Sequence, residues 1–378
     1  MGTYLNPGNS GFRSIISGEY VDKTSMIALL NKTIGTKGNL TCISRPRRFG
    51  KSYAAQMLCA YYDCSCDSHS LFDRYEISKS VSYEEHINRY NVIVVDVTGF
   101  ISTVKQSDGK LKLSGVPNMI ASDLRLDLIE VYPELSKYST LEDCLLRFVK
   151  KSGKKIVFII DEWDALIREA KGDNKTQESY LNLLRGLFKN SNVTPYVVAA
   201  GYMTGILPIK KDGSQSAISD FREYSVLDPR KFDIYTGFTE DEVKTICARY
   251  GMVFEEAKRW YDGYSVGRAK SIYNPYSLMQ AMDAGEYSSY WKKTSAADSL
   301  ETYINMDFDG LRECVIRLMA DEEIEVYTED FANDFQTFTS KDDVLTLMIH
   351  LGYLAYDRNI RSVRIPNDEI KGEFKNLI

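Results

Sequence analysis

One stretch limits the folds open to this chain more than any other: residues 40–52, LTCISRPRRFGKS, an apolar run that breaks into a basic turn and ends in Gly50, Lys51 and Ser52. This is the layout of a phosphate-binding loop. The first amides of a helix lack intrahelical acceptors and lie at the positive end of its dipole, so a strand leading through such a turn into a helix builds an anion cradle. In that reading Lys51 reaches the β- and γ-phosphates and the Ser52 hydroxyl ligates Mg²⁺. The common pattern is G-x-x-x-x-G-K-[ST], and Arg45 stands where its first glycine falls, so the loop is a variant. Taken alone, a solvated basic turn explains the same residues.

The second signal is residues 155–162, KIVFIIDE, a run of β-branched and aromatic residues that stops at Asp161 and Glu162. It reads as a buried parallel strand with carboxylates at its C-terminal edge, where open α/β sheets bind their ligands. With a phosphate loop upstream, the first acid holds Mg²⁺ and the second polarises the attacking water. Two strands that both end in nucleotide chemistry, in this order, are far more specific than either alone. Asp164 is read as capping the next helix or binding a basic residue rather than as catalytic.

Composition narrows the remaining classes. A chain of 378 residues with 44% hydrophobic and 26% charged residues has the make-up of a soluble globular protein of two or three domains. A net charge of −6 excludes a chain-wide basic surface for nucleic acid, leaving only local patches. No signal-peptide pattern and no apolar run near the roughly 20 residues that span a bilayer is found, so no membrane role is expected. Seven scattered cysteines fit free thiols in a reducing compartment, and the expected location is cytoplasmic. The three histidines flank no candidate nucleophile, which leaves Ser/His and Cys/His chemistry without support.

Along the chain, strands are expected at 40–44, 91–96, 155–161, 195–200 and 224–227, with helices between them, which predicts a parallel α/β sheet with right-handed crossovers. From Gly237 the pattern turns helical: Thr239 and Glu242 form a capping signature for a helix to Tyr250, and Pro275 opens another. An amphipathic helix over 341–351 and a hairpin over 353–365 close the chain. The division predicted is a core over 1–236, a helical lid over 237–300 and a winged-helix-like domain over 301–378.

The combination of residues 20–24 (YVDKT), 44–52 (SRPRRFGKS), 160–164 (IDEWD), 202–206 (YMTGI), 237–240 (GFTE), 260–264 (WYDGY), 273–275 (YNP) and 349–353 (IHLGY) resembles the AAA-ATPase-like family of bacterial P-loop proteins. The likeness runs over almost the whole chain. Arginine in place of the first loop glycine is in the family pattern. The resemblance implies an α/β P-loop NTPase with an extra strand between the two nucleotide strands and sheet order 5-1-4-3-2, so that 195–200 lies between them and ends in a sensor, Thr204 or Tyr202. It also implies a common continuation into a PD-(D/E)xK nuclease-like domain, which would begin near Ile378.

The resulting expectation is an ATPase using ATP and Mg²⁺. Lys51 and Glu162 are catalytic, and Ser52 and Asp161 hold the metal. Arg45, Pro46, Arg47, Arg48, Phe49, Gly50, Lys51, Ser52, Tyr53, Thr204 and Pro275 bind the nucleotide, Pro275 by analogy as a flat contact for adenine. The alternatives are a nucleotide-binding regulatory scaffold with little turnover and a DNA-binding module of a nuclease-linked system, for which Arg358, Arg361 and Arg364 are the local support. ATP or ADP is the first partner, with DNA, a protein or further copies of the chain left open.

Overall fold

The apolar runs read as strands become strands because nearly every position along them is covered. In the computed structural model, β1 (Leu40–Ser44) is buried throughout, and β3 (Ile156–Asp161) is buried up to its terminal aspartate. The structure describes residues 2–107, 112–209, 218–291, 301, 304–305, 307–329, 331, 338 and 340–377. The chain divides into two units, one of residues 1–43, 52–205 and 209–223, the other of 44–51, 206–208 and 224–378.

The first unit is built on a five-stranded parallel sheet in the order β2-β3-β4-β1-β5, where β2 is Asn91–Asp96, β4 Val198–Gly205 and β5 Arg222–Tyr224. Read from the other edge this is 5-1-4-3-2, the order the resemblance implies. β2 pairs with β3 from Asn91 opposite Ile156 to Asp96 opposite Asp161, and β3 pairs with β4 from Ile156 opposite Val198 to Ile160 opposite Met203. The register therefore brings the polar ends of β2, β3 and β4 to one edge. Helices pack on the sheet through residues such as Phe188, whose ring meets Phe158 of β3 at 5.5 Å and Phe221 at 4.9 Å.

Two strand boundaries differ from the sequence reading. Pro195 lies in the first turn of the short helix Thr194–Val197, where a missing N–H does no harm, so β4 begins at Val198 and runs on to Gly205. β5 ends at Tyr224 because the following residues turn, the Ser225 hydroxyl accepting from the Asp228 amide at 3.2 Å.

In the second unit, the helix Glu240–Tyr250 starts on the expected capping box of Thr239 and Glu242. The segment read as an all-helical lid also carries a three-stranded antiparallel sheet: β6 (Phe238–Thr239), β7 (Tyr264–Val266) and β8 (Ala269–Tyr273), in the order β6-β8-β7. These strands are too short to show alternation in the sequence. Residues 292–300 of the expected lid lie outside the described residues. Further on, the helix Leu311–Met319, β9 (Ile324–Glu325), the helix Lys341–Leu351 and the hairpin β10 (Ala355–Asp357) with β11 (Ser362–Arg364) follow one another, the strands pairing as β10-β11-β9. The helix Lys341–Leu351 is the core of this region and is buried from Asp343 to Leu351.

Candidate functional site

The loop between β1 and the helix Lys51–Tyr62 is shaped by two residues in the left-handed region, Arg48 at φ +69° and Gly50 at φ +83°. A side chain at position 50 would be strained by that backbone alone. Lys51 is nearly buried, and its ammonium donates to the carbonyls of Arg45 at 3.1 Å and Pro46 at 2.9 Å. The lysine is thus folded back onto the carbonyls of its own loop. Ser52 and Tyr53 follow at the head of the helix, both exposed.

Arg45, Pro46, Arg48 and Phe49 of the loop are all anchored within the second unit. Arg45 is 1% exposed. Its Nε donates to Thr236 Oγ1 at 2.9 Å, Nη1 to the carbonyls of Ser44 at 2.9 Å and Tyr224 at 2.7 Å, and Nη2 to that of Phe232 at 3.1 Å. Read from the sequence as a nucleotide-binding residue, Arg45 has its guanidinium committed to protein acceptors. Arg48 donates to the Tyr290 carbonyl at 3.0 Å and lies over the Tyr276 ring at 4.4 Å. Phe49 meets Tyr264 edge-on at 5.2 Å, and its carbonyl accepts from Gly237. Pro46 packs so closely on Gly352 that a Cβ there would lie 2.9 Å from the ring. Arg47 is half-buried. Pro275 is the first residue of the helix Pro275–Ala284, with the Asn274 side chain accepting from the Tyr276 and Ser277 amides.

In the first unit, the end of β3 is organised by the end of β4. The Thr204 hydroxyl, fully buried, donates to Asp161 Oδ1 and accepts from the Glu162 amide at 3.1 Å. The Thr204 carbonyl accepts from the Trp163 amide at 2.8 Å. Of the two sensor candidates in the sequence, Thr204 is thus the one bonded to the acidic turn. Glu162 sits at φ +53°, a conformation rare for a side-chain-bearing residue, and this sharp bend drives Trp163 into the core. Gly205 is required beside it: a Cβ there would lie 2.6 Å from the indole nitrogen.

One residue at this turn was absent from the sequence reading. Arg168, nine-tenths buried, donates from Nη2 to Glu162 Oε2 at 2.8 Å and from Nε to Asp164 Oδ2 at 3.0 Å. Burial works to lower its pKa, but the carboxylates of Asp164 and Glu162 outweigh burial and raise it, so the guanidinium stays charged. Asp164 follows the second of its two readings, binding a basic residue. The signal was present, since Arg168 stands one helical turn after Asp164. Thr236, the partner of Arg45, had no such signal, being 191 positions away. Asp96, opposite Asp161 in the register, caps the helix Val97–Gln106 by accepting from the Thr98 amide. Among the described residues no three His, Cys, Asp or Glu side chains gather as a metal site of their own. A Mg²⁺ arriving with a nucleotide would need few protein oxygens, since phosphates and water complete its shell, and Asp161 and Ser52 are the side chains that would supply them.

A strand entering a Gly-Lys-Ser loop, an acidic strand end and a buried threonine between them in the sheet are the arrangement of a P-loop fold. The family described as Predicted AAA-ATPase matches residues 7–214, and the chain belongs to it. It is 22% identical over 371 residues to an uncharacterized protein in the vnfD 5' region of Azotobacter chroococcum mcd 1, covering 95% of this chain and 66% of that one. Among solved structures it is similar to the ORC2 protein of Aeropyrum pernix in ADPNP and ADP complexes, at 10% identity, 95% coverage of both chains and a TM-score of 0.46. The ORC1 protein of the same organism, in complex with DNA, aligns at 10% identity over 100% of this chain and 97% of that one, with a TM-score of 0.37. Among the described residues no helix is long and apolar enough to cross a membrane.

Proposed function

We propose that the protein is an Mg²⁺-dependent ATPase that works as a nucleotide-driven switch. The observation that carries this is the sheet order: β1, which runs into Gly50-Lys51-Ser52, and β3, which ends in Asp161-Glu162, lie on either side of β4, which ends in Thr204. On this reading Lys51 leaves the carbonyls of Arg45 and Pro46 for the β- and γ-phosphate oxygens, while the amides at the head of the helix Lys51–Tyr62 take the remaining charge. Ser52 and Asp161 would hold Mg²⁺, which neutralises charge on the phosphates. Thr204 orients the Asp161 carboxylate, and Glu162 accepts the proton of the attacking water.

A second reading is favoured by one contact. The Glu162 carboxylate is engaged by Arg168, and a base held in an ion pair suits a protein that binds nucleotide and turns it over slowly. The order helix, β9, helix, β10, β11 matches that of a winged helix, but DNA docking through the helix Lys341–Leu351 is disfavoured. A recognition helix must offer a free face, and this one is buried from Asp343 to Leu351. The seven cysteines are free, consistent with a cytoplasmic protein.

Phosphate release from Mg·ATP by wild type and Glu162→Gln tests the ATPase reading. The amide keeps shape and hydrogen bonding but cannot accept the proton, so turnover should fall by roughly 10²-fold or more with nucleotide affinity retained. Equal turnover in the two proteins would remove Glu162 from its role. No turnover in wild type alongside tight binding would leave the slow switch as the function.

A further inference from the structure

We infer that Arg45 is a positioning residue for phosphate binding: its side chain moors the first position of the loop to residues 224–236 and so sets the backbone that receives the phosphates. The inference rests on reading the loop as the phosphate site. In the common form of this loop, glycine at that position lets the chain turn freely. Here the turn is held instead from a side chain.

Four hydrogen bonds from one guanidinium reach Thr236 Oγ1 and the carbonyls of Ser44, Tyr224 and Phe232, at 2.7 to 3.1 Å. A planar, rigid fork satisfies acceptors on several sides at once, whereas a lysine ammonium, a point charge on a flexible stem, does not. The side chain is almost wholly buried, so releasing it would strand several backbone acceptors without water. What it fixes matters because the Arg45 carbonyl is one of the two that hold the Lys51 ammonium. The guanidinium therefore fixes the carbonyl, the carbonyl sets the resting place of Lys51, and Lys51 is the group that must meet the phosphates. Arg45 contributes to nucleotide affinity through that chain and through loop shape, with its own charge spent on the protein.

The substitution that restores the common glycine pattern should then weaken binding. Equilibrium titrations of the full chain with Mg·ATP, Mg·ADP, AMP and adenosine would compare wild type with Arg45→Gly, Arg45→Lys and Thr236→Val. Arg45→Gly should lose roughly tenfold or more in affinity for ATP and ADP, the scale of losing hydrogen bonds to a charged group, with adenosine affinity unchanged. Arg45→Lys should not rescue it. Thr236→Val, nearly isosteric and removing one acceptor only, should show a smaller loss with the same dependence on phosphate number, and serves as the test if Arg45→Gly does not fold. Wild-type ATP affinity in Arg45→Gly or, failing that, in Thr236→Val would overturn the inference. So would a loss that is equal for ATP and adenosine. If wild type itself binds ATP no better than adenosine, the phosphate-loop reading fails and this inference falls with it.

Discussion

Arg168, nine-tenths buried, shares one guanidinium between Glu162 and Asp164. Asp164 is 1% exposed, so removing the arginine leaves a carboxylate in the core without its charged partner. Breaking such a buried pair costs roughly 3 to 5 kcal/mol, whereas replacing both members by neutral groups costs far less. Arg168→Gln should therefore be strongly destabilising in urea, and Asp164→Asn/Arg168→Gln should recover most of the loss. Additive effects in that double-mutant cycle would mean that the contact does not couple the two residues. The site residues divide by legibility along the same physical line. Lys51, Ser52, Asp161 and Glu162, the residues proposed for the site, could be nominated because local chemistry is written in consecutive residues. The side-chain commitment of Arg45 was not, because its acceptors at Tyr224, Phe232 and Thr236 are brought to it only by folding.

At the scale of elements, the signals that worked were those with redundancy. β2 and β3 are runs of valine, isoleucine and phenylalanine, β3 buried on both faces up to its terminal aspartate and β2 nearly so, and such runs have few other uses. The helix Glu240–Tyr250 was announced by a capping box and ended at Gly251 in the left-handed region. β4 was placed too early because Pro195 looks like a strand entry, while its ring in fact starts a helical turn. β6, β7 and β8 were missed because strands of two to five residues, the last two beside Gly263 and Gly267, carry too little periodicity to separate a strand from a turn. The aromatic turn at 260–264 reads from the sequence as packing the lid on the core, and its contacts lie within the second unit: the Tyr264 hydroxyl donates to the Gly352 carbonyl at 2.8 Å, the Tyr261 hydroxyl to that of Ser288 at 2.8 Å, and the Asp262 carbonyl accepts from Asn367 at 2.6 Å.

For the molecule as a whole, two buried titratable groups of the second unit set opposing pH dependences. Burial pushes the Glu369 carboxyl from an ordinary 4.5 up to about 7, and burial with the nearby Arg45 charge pushes the His350 imidazole from 6.5 down to about 3. Between pH 4.5 and 6.5 the folded state holds a proton on Glu369 that the unfolded chain has lost, so this group's contribution falls as pH rises. Over the same interval the unfolded chain carries a proton on His350 that the folded state lacks, so that contribution rises with pH. Each slope is about 1.4 kcal/mol per pH unit, and the two cancel. Denaturation from pH 4.5 to 6.5 should show stability rising with pH in Glu369→Gln relative to wild type, and falling in His350→Gln. Parallel profiles in all three proteins would contradict these assignments. The central claim, that residues 44–52 bind the phosphates of a nucleotide, is tested most directly by the stability of the full chain as Mg·ATP is added to wild type and Lys51→Ala. A ligand bound by the native state alone stabilises by about 2.7 kcal/mol at a hundredfold excess over Kd. Wild type should gain stability that rises with the logarithm of Mg·ATP concentration and reaches about that size at a hundredfold excess, the gain should be lost in Lys51→Ala, and equal stabilisation of both proteins would contradict the claim.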